Sequence, residues 1–281
     1  MTNNKQLTYA FIGAGNMSGA ILGGMVNSGI NPDNIIATNR TVEKQQALKH
    51  KFGIKTDLDN KSAISQADVI ILGVKPQMML AMLADLVQQG IDFSQKLIIT
   101  VAAGLTINRY TDIIGNVRII RCMPNTPSLV GLGVSGLFCG TDESSFSADV
   151  IQQDKEVTST MFDAVGKTVW LEQESQIDDI AAVSGSGPAY FFLFMQHMAD
   201  KAVQLGFDQD TANTIVLQTA LGSAEMAAQS PDSFEQLRVN VTSPGGSTAE
   251  AIRTFNENNL DDIVASALDA AVSRAKEMSK L

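Results

Sequence analysis

The chain has 281 residues, and only two are cysteine, two histidine and one tryptophan. So little cysteine excludes the disulfide framework of small secreted domains, and Cys122 and Cys139, both in strand-like apolar runs, are expected to be reduced and buried. No metal site is expected. No apolar run approaches the length of a membrane-spanning helix. The start, M-T-N-N-K-Q, lacks the basic residues, apolar stretch and small-residue cleavage site of a signal peptide, so a cytoplasmic location is expected. Basic charge is also scarce: 20 Lys and Arg stand against 30 Asp and Glu, for a net charge of −10. That balance argues against nucleic acid as a partner, which needs a clustered basic surface. It does not exclude a small anionic ligand, because a pocket can be locally positive on an acidic protein. Repeats, low-complexity tracts and long charged runs are missing too. What is present, 44% hydrophobic and 18% charged residues, suits a globular chain long enough for two domains.

Apolar runs at 9–13, 35–38, 69–74, 97–102 and 117–123 alternate with helical segments, the pattern of a mostly parallel sheet wrapped by helices. Most lack polar alternation, as strands buried on both faces do. Further runs at 133–139 and 167–171, separated by an expected helix within 144–164, extend or close that sheet. After about Glu174 strands disappear. Segments 189–205, 211–229, 248–256 and 261–280 carry helix formers with apolar residues recurring at three and four. The expected organisation is an α/β domain over 1–168 and an all-helical domain over 169–281. Phe191, Phe194, Met195, Met198 and Leu205 form a bulky stripe that reads first as core, with any apolar excess turned to a partner subunit. His197, near Tyr190, Phe194 and Lys201, reads as a packed or interface histidine.

Gly13-Ala14-Gly15-Asn16-Met17-Ser18 follows the first strand and opens a helix, the setting in which a G-x-G-x-x-G pattern points to a dinucleotide. Gly13 makes the tight turn and Gly15 admits the pyrophosphate to the helix N-terminus. The sixth position is Ser18, a departure that concerns helix–strand packing. The second strand ends Thr38-Asn39-Arg40-Thr41, without the carboxylate that an NAD site uses on the ribose. Arg40 can pair with a 2′-phosphate while Asn39 and Thr41 donate hydrogen bonds, which favours NADPH, with NADH as an alternative donor. Val74, Lys75 and Pro76 end one central strand and Ala102, Ala103 and Gly104 the next, where small residues let a nicotinamide ring lie against backbone. Met123-Pro124-Asn125-Thr126-Pro127 ends a third, with Asn125 and Thr126 free to hydrogen-bond. Lys75 reads as either a catalytic residue or a solvated or phosphate-neutralising charge.

The segment V-T-S-P-G-G-S-T at 241–248 is a hydroxyl- and glycine-rich turn with no lysine or histidine. It either cradles a small anion or only starts a helix, since Ser247 and Glu250 have capping-box spacing. A nicotinamide cofactor delivers hydride, and a ketone acceptor needs an acid for its developing oxyanion. None of Lys167, Lys201, Lys276, Lys280 or His197 stands in a turn suited to that task. An iminium acceptor arrives already protonated and needs only orientation, a carboxylate site and a hydroxyl.

These motifs together resemble the pyrroline-5-carboxylate reductases: G-A-G-N-M at 13–17, V-K-P at 74–76, A-A-G at 102–104, M-P-N-T-P at 123–127, S-G-S-G-P-A-Y at 184–190 and the 241–248 turn recur in order along most of the chain. The resemblance implies NADPH-dependent reduction of 1-pyrroline-5-carboxylate to L-proline by a Rossmann domain followed by a helical dimerisation domain, in a homodimer or higher homo-oligomer. It implies cofactor contacts at Gly13, Ala14, Gly15, Asn16, Met17, Asn39, Arg40, Asn60, Val74, Lys75, Pro76, Ala102, Ala103, Gly104 and Asn240. It implies substrate contacts at Glu174, Ser243, Gly245, Gly246, Ser247 and Thr248, with Thr248 beside the ring nitrogen as the proton-donor candidate. Residues 184–190 are then a pocket wall or subunit contact. A reductase of another cyclic imine or of a β-hydroxy acid, or a cofactor-binding sensor without turnover, are the alternatives.

Overall fold

A computed structural model describes residues 6–279. Eight strands form one sheet: β1 (Tyr9–Ile12), β2 (Ile35–Thr38), β3 (Lys55–Asp57), β4 (Val69–Leu72), β5 (Leu97–Thr100), β6 (Arg118–Met123), β7 (Gly133–Cys139) and β8 (Gly166–Trp170). Their spatial order is β3-β2-β1-β4-β5-β6-β7-β8. Pairing is parallel throughout except between β6 and β7, where Cys122 faces Leu137 in antiparallel register. The later strands thus extend the sheet.

Both faces of the sheet are covered, which is why its central strands are apolar without alternation. Ala10, Ile12, Ile70, Leu72 and Ile98 point into one core with Leu83 and Tyr110, and Phe11, Ile71, Ile99 and Ile120 into another with Ile21, Leu22 and Phe162. The covering helices are α1 (Asn16–Asn27), α2 (Val42–Phe52), α3 (Asn60–Gln66), α4 (Pro76–Gln88), α5 (Ile107–Ile114) and α6 (Ala148–Asp163). Ser147 caps α6 by accepting from the Val150 N–H, and Gly53 ends α2 in a left-handed conformation, φ 71°. Strand β3 escapes the sequence pattern because it is short, polar and at the sheet edge.

The rest of the described chain is helical: α7 (Gln176–Ile180), a π-turn (Ala181–Gly185), α8 (Gly187–Gln204), α9 (Gln209–Gln229), α10 (Phe234–Asn240), α11 (Ser247–Glu257) and α12 (Leu260–Met278). The expected end of the last helix, Lys280, lies outside the described residues. Contacts divide the chain into two compact units, one running through Gly185 and including the C-terminal stretch from Val272, the other spanning Ser186–Ala271. The expected boundary at 168/169 falls inside β8, whereas the break in packing comes at Gly185.

Two burial expectations need correction. Both cysteines are free and Cys122 is buried, but Cys139, at the end of β7, is only partly so. The stripe is not core of its own chain: Phe191, Phe194, Met198 and Leu205 are 73%, 47%, 42% and 70% exposed, with Phe192, Leu193 and His197 exposed beside them.

Candidate functional site

In the sheet-bearing unit, β1 is flanked by β2 and β4, so successive crossovers leave in opposite directions and open a crevice above their carboxyl ends. The expected cofactor residues of this unit follow β1, β2, β4 and β5 or, for Asn60, begin α3. Gly13 has φ +85°, and a Cβ there would stand 2.7 Å from Val74 Cγ2, so glycine lets the first loop abut the 73–75 loop. Space beside Gly15 is open. Helix α1 starts on Gly15 with no side-chain cap and no acid in its first turn. Among the described residues, the Asn16, Met17 and Ser18 N–H groups have no acceptor, which makes them a cradle for an anionic pyrophosphate. Ser18 is buried, donates its hydroxyl to the Gly13 carbonyl at 3.2 Å, and occupies the place where a side chain on Gly73 would go. Glycine at 73 thus restores the helix–strand fit that serine at the sixth position would otherwise disturb.

At the end of β2, the buried Thr38 hydroxyl accepts from the Gly13 N–H at 3.4 Å and donates to Asn60 Oδ1 at 2.7 Å. Asn39 Nδ2 donates to the Ala14 carbonyl at 2.8 Å, while its Oδ1 accepts from the Thr41 N–H at 3.0 Å. Asn39 and Asn60 therefore brace the phosphate loop. Arg40 is exposed and makes no ion pair among the described residues, leaving its guanidinium available to a phosphate. An NADP-type dinucleotide fits these groups: a glycine loop, uncapped N–H donors, and a free arginine without an adjoining carboxylate. Lys75 is exposed and begins α4 as its N-cap, with Pro76 in the first helical position. Ala102 is buried, Ala103 exposed, and Gly104 takes φ +74°.

Glu174 has other partners. Its Oε1 accepts from the Ile107 N–H at 2.7 Å and from Arg121 at 2.9 Å, and Arg121 also approaches Asp178 at 3.5 Å. The Arg121 side chain is 1% exposed, so these carboxylates balance a buried cation. Burial still raises Asp178 above the usual carboxylate range, outweighing Arg121. Arg121 stands outside the motifs and Thr38 is named only as a strand end, although an arginine inside R-I-I-R-C-M and a threonine closing an apolar strand are visible signals. Asn125 is not free as expected: buried, it accepts from the Val134 N–H at 2.9 Å and donates to the Ser184 carbonyl at 3.1 Å, binding two of the motifs together.

In the helical unit, Ser243, Gly245 and Gly246 lie in the turn between α10 and α11, and Ser247 and Thr248 begin α11. The Gly246 N–H donates to the Ser243 carbonyl at 3.1 Å and Gly245 has φ +69°, so Pro244-Gly245 forms a type II turn. The expected capping box is not formed. Gly246 is the N-cap and makes no side-chain bond, Ser247 is already the first helical residue, and Glu250 accepts from Arg253 at 2.9 Å. Among the described residues, the Ser247, Thr248 and Ala249 N–H groups consequently have no acceptor. Asn240, at the end of α10, accepts from Gln236 at 2.8 Å and donates to Asp232 at 3.4 Å.

Comparison with known proteins agrees. A family model described as pyrroline-5-carboxylate reductase dimerisation matches residues 174–278, and one described as NADP oxidoreductase, coenzyme F420-dependent, matches residues 8–104. A pyrroline-5-carboxylate reductase of Vibrio alginolyticus is 48% identical over 97% of both chains. The structure of a pyrroline-5-carboxylate reductase from Coxiella burnetii superposes with a TM-score of 0.90 at 40% identity, covering 99% of this chain and 100% of that one. The Plasmodium falciparum pyrroline carboxylate reductase, crystallised with NADP bound, gives 0.82 at 28% identity, covering 98% and 99%. A glycine cradle beside a free arginine, an uncapped helix start without lysine or histidine, and full-length relatives at this identity place the chain in the pyrroline-5-carboxylate reductase family.

Proposed function

We propose that this protein reduces 1-pyrroline-5-carboxylate to L-proline with NADPH, the last step of proline synthesis, and that the named motif residues form its site. The observation that carries the substrate reading is the start of α11. Its three unpaired N–H groups follow a type II turn that offers hydroxyls and no strong acid or base. Such donors, with the positive end of the helix dipole, suit the substrate carboxylate, which sits at Gly245, Gly246 and Ser247 with Ser243 alongside; the Gly246 N–H is given to the Ser243 carbonyl, so the free donors come from Ser247 onward.

The bound cofactor supplies hydride to the C=N carbon. The ring nitrogen, protonated as the iminium, becomes an amine as it takes the electron pair of the double bond, so no oxyanion develops and no lysine or histidine is required. Thr248 is the residue beside that nitrogen; where the substrate arrives as the neutral imine its hydroxyl is the proton-donor candidate that makes the iminium, its own proton being replaced from water. Gly13, Ala14, Gly15, Asn16 and Met17 hold the pyrophosphate, and Arg40 binds the 2′-phosphate on the scaffold braced by Asn39 and Asn60. Val74, Lys75, Pro76, Ala102, Ala103, Gly104 and Asn240 complete the cofactor contacts. Glu174 acts by holding Arg121 and the start of α5 and, in the same proposal, lies near the substrate. A homodimer or larger homo-oligomer is the working form. The cytoplasm is the setting, in keeping with two free thiols.

Purified protein mixed with NADPH and pyrroline-5-carboxylate should oxidise the cofactor, read from its absorbance, with proline as product. Thr248→Ala should lower kcat while leaving the Kd for NADPH unchanged. A folded protein that binds NADPH yet shows no oxidation above background would overturn the proposal.

A further inference from the structure

The loop that leaves β5 carries Ala102, Ala103 and Gly104 and ends where α5 begins. Two side-chain connections, one buried and one partly so, close its base. Thr100 ends β5 and Tyr110 lies in the first turn of α5; both are fully buried, and their hydroxyls share a 2.6 Å hydrogen bond. The Ala102 N–H in turn donates to Thr100 Oγ1 at 3.3 Å. On the other side, Glu174 accepts the Ile107 N–H, and Arg121 holds Glu174.

The Tyr110 hydroxyl calls for an explanation. Its ring packs in an apolar cluster with Leu105, Ile107 and Ile114, where phenylalanine would fill the same space. A hydroxyl buried there costs stability unless it is paired, and Thr100 is its partner among the described residues. Burial also pushes the Tyr110 pKa up to about 12, so the phenol keeps its proton across the working range.

We propose that the Tyr110–Thr100 hydroxyl pair is a positioning device that pre-forms the 101–106 loop for the nicotinamide half of NADPH. The proposal rests on the reading above that residues 102–104 touch the cofactor. Tyr110 fixes the rotamer of Thr100, Thr100 Oγ1 receives the Ala102 N–H, and the loop keeps one conformation before ligand arrives. Without the pair the loop samples others, and binding must first select the competent one, which weakens affinity by the fraction lost. Neither residue touches reacting atoms, so both are positioning residues.

Tyr110→Phe and Thr100→Val each remove one hydroxyl, and Thr100→Ser keeps it. Titrations on the full chain would compare NADPH with adenosine 2′,5′-bisphosphate, which carries only the end of the cofactor assigned to residues 13–17 and Arg40. The Kd for NADPH should rise on the order of three- to tenfold in Tyr110→Phe and Thr100→Val, the worth of one hydrogen bond. The bisphosphate Kd should not move, and Thr100→Ser should match wild type. Unchanged NADPH affinity in folded Tyr110→Phe overturns the inference, as does equal weakening of both ligands or equal affinity in Thr100→Val and Thr100→Ser. Wild-type protein that binds NADPH but does not reduce pyrroline-5-carboxylate would instead defeat the functional reading alone.

Discussion

Arg40 follows the end of β2 with its side chain exposed and, among the described residues, no carboxylate bound to it. Charge-assisted bonds from arginine to a phosphate contribute roughly 1.5–3 kcal/mol, so Arg40→Ala should weaken NADPH on the order of tenfold or more. NADH lacks the 2′-phosphate and should bind almost as before. Parallel titrations with the two cofactors test this, and an equal loss for both would remove Arg40 from phosphate recognition. The proposed determinant is read from local features: glycine spacing, the strand before it and the missing carboxylate all lie in adjacent residues. The role of Arg121 was not legible, because its partners Glu174 and Asp178 lie 53 and 57 residues away. Asn125 failed the same way, since it meets Ser184 59 positions on. Local sequence shows that a polar group exists, but the fold decides whether it faces a ligand or another part of the chain.

Helix starts show how the elements divide their work. Asp59, Ser147, Asp208 and Ser233 cap α3, α6, α9 and α10 with their own side chains. Helices α1, α2, α4, α5, α7, α8 and α11 have no side-chain cap, and among these α1 and α11 are the two with glycine at the N-cap. Their terminal N–H groups are the ones the proposed function assigns to anions, the pyrophosphate and the substrate carboxylate. The capping-box reading failed by one position: Ser247 falls inside the helix, where its side chain cannot turn back, and Arg253 claims Glu250. Gly245 sets the turn that aims these donors. Alanine there meets no neighbour within 4 Å, so Gly245→Ala imposes only the cost of φ +69°, about 1–2 kcal/mol. The KM for pyrroline-5-carboxylate should then rise on the order of fivefold at saturating NADPH, with the NADPH Kd unchanged. An unaltered KM would show that the turn's geometry does not hold the substrate. The missed β3 teaches a related point: an edge strand has one neighbour and one wet face, so it needs no apolar signature.

At the scale of the whole molecule, the two units differ in how they are held together. The sheet is buried on both faces, and its alternation of apolar runs and helices made it readable. Within the helical unit, Ala199, Ala212 and Val216 are the buried apolar residues among those described, too little to offset the entropy of ordering it. Four consecutive exposed residues, Phe191 to Phe194, circle one turn of α8, and a helical turn apolar all round belongs in an interior. The periodicity was legible, yet core and interface share one pattern; only exposure in the folded chain separates them. In the proposed homo-oligomer a second copy of this chain would supply the missing interior, in keeping with the match to a dimerisation family model. Wild-type protein should therefore sediment as a dimer or larger assembly, with a Tm that rises with concentration because association and folding are linked. Phe191→Asp places a carboxylate in that interior and forfeits about 1.5–3 kcal/mol of apolar burial per copy, besides the cost of an unpaired charge. The variant should sediment as a smaller species and melt lower. A variant of unchanged size and Tm would mean that Phe191 stays in water, and the apolar band on α8 would then need another explanation.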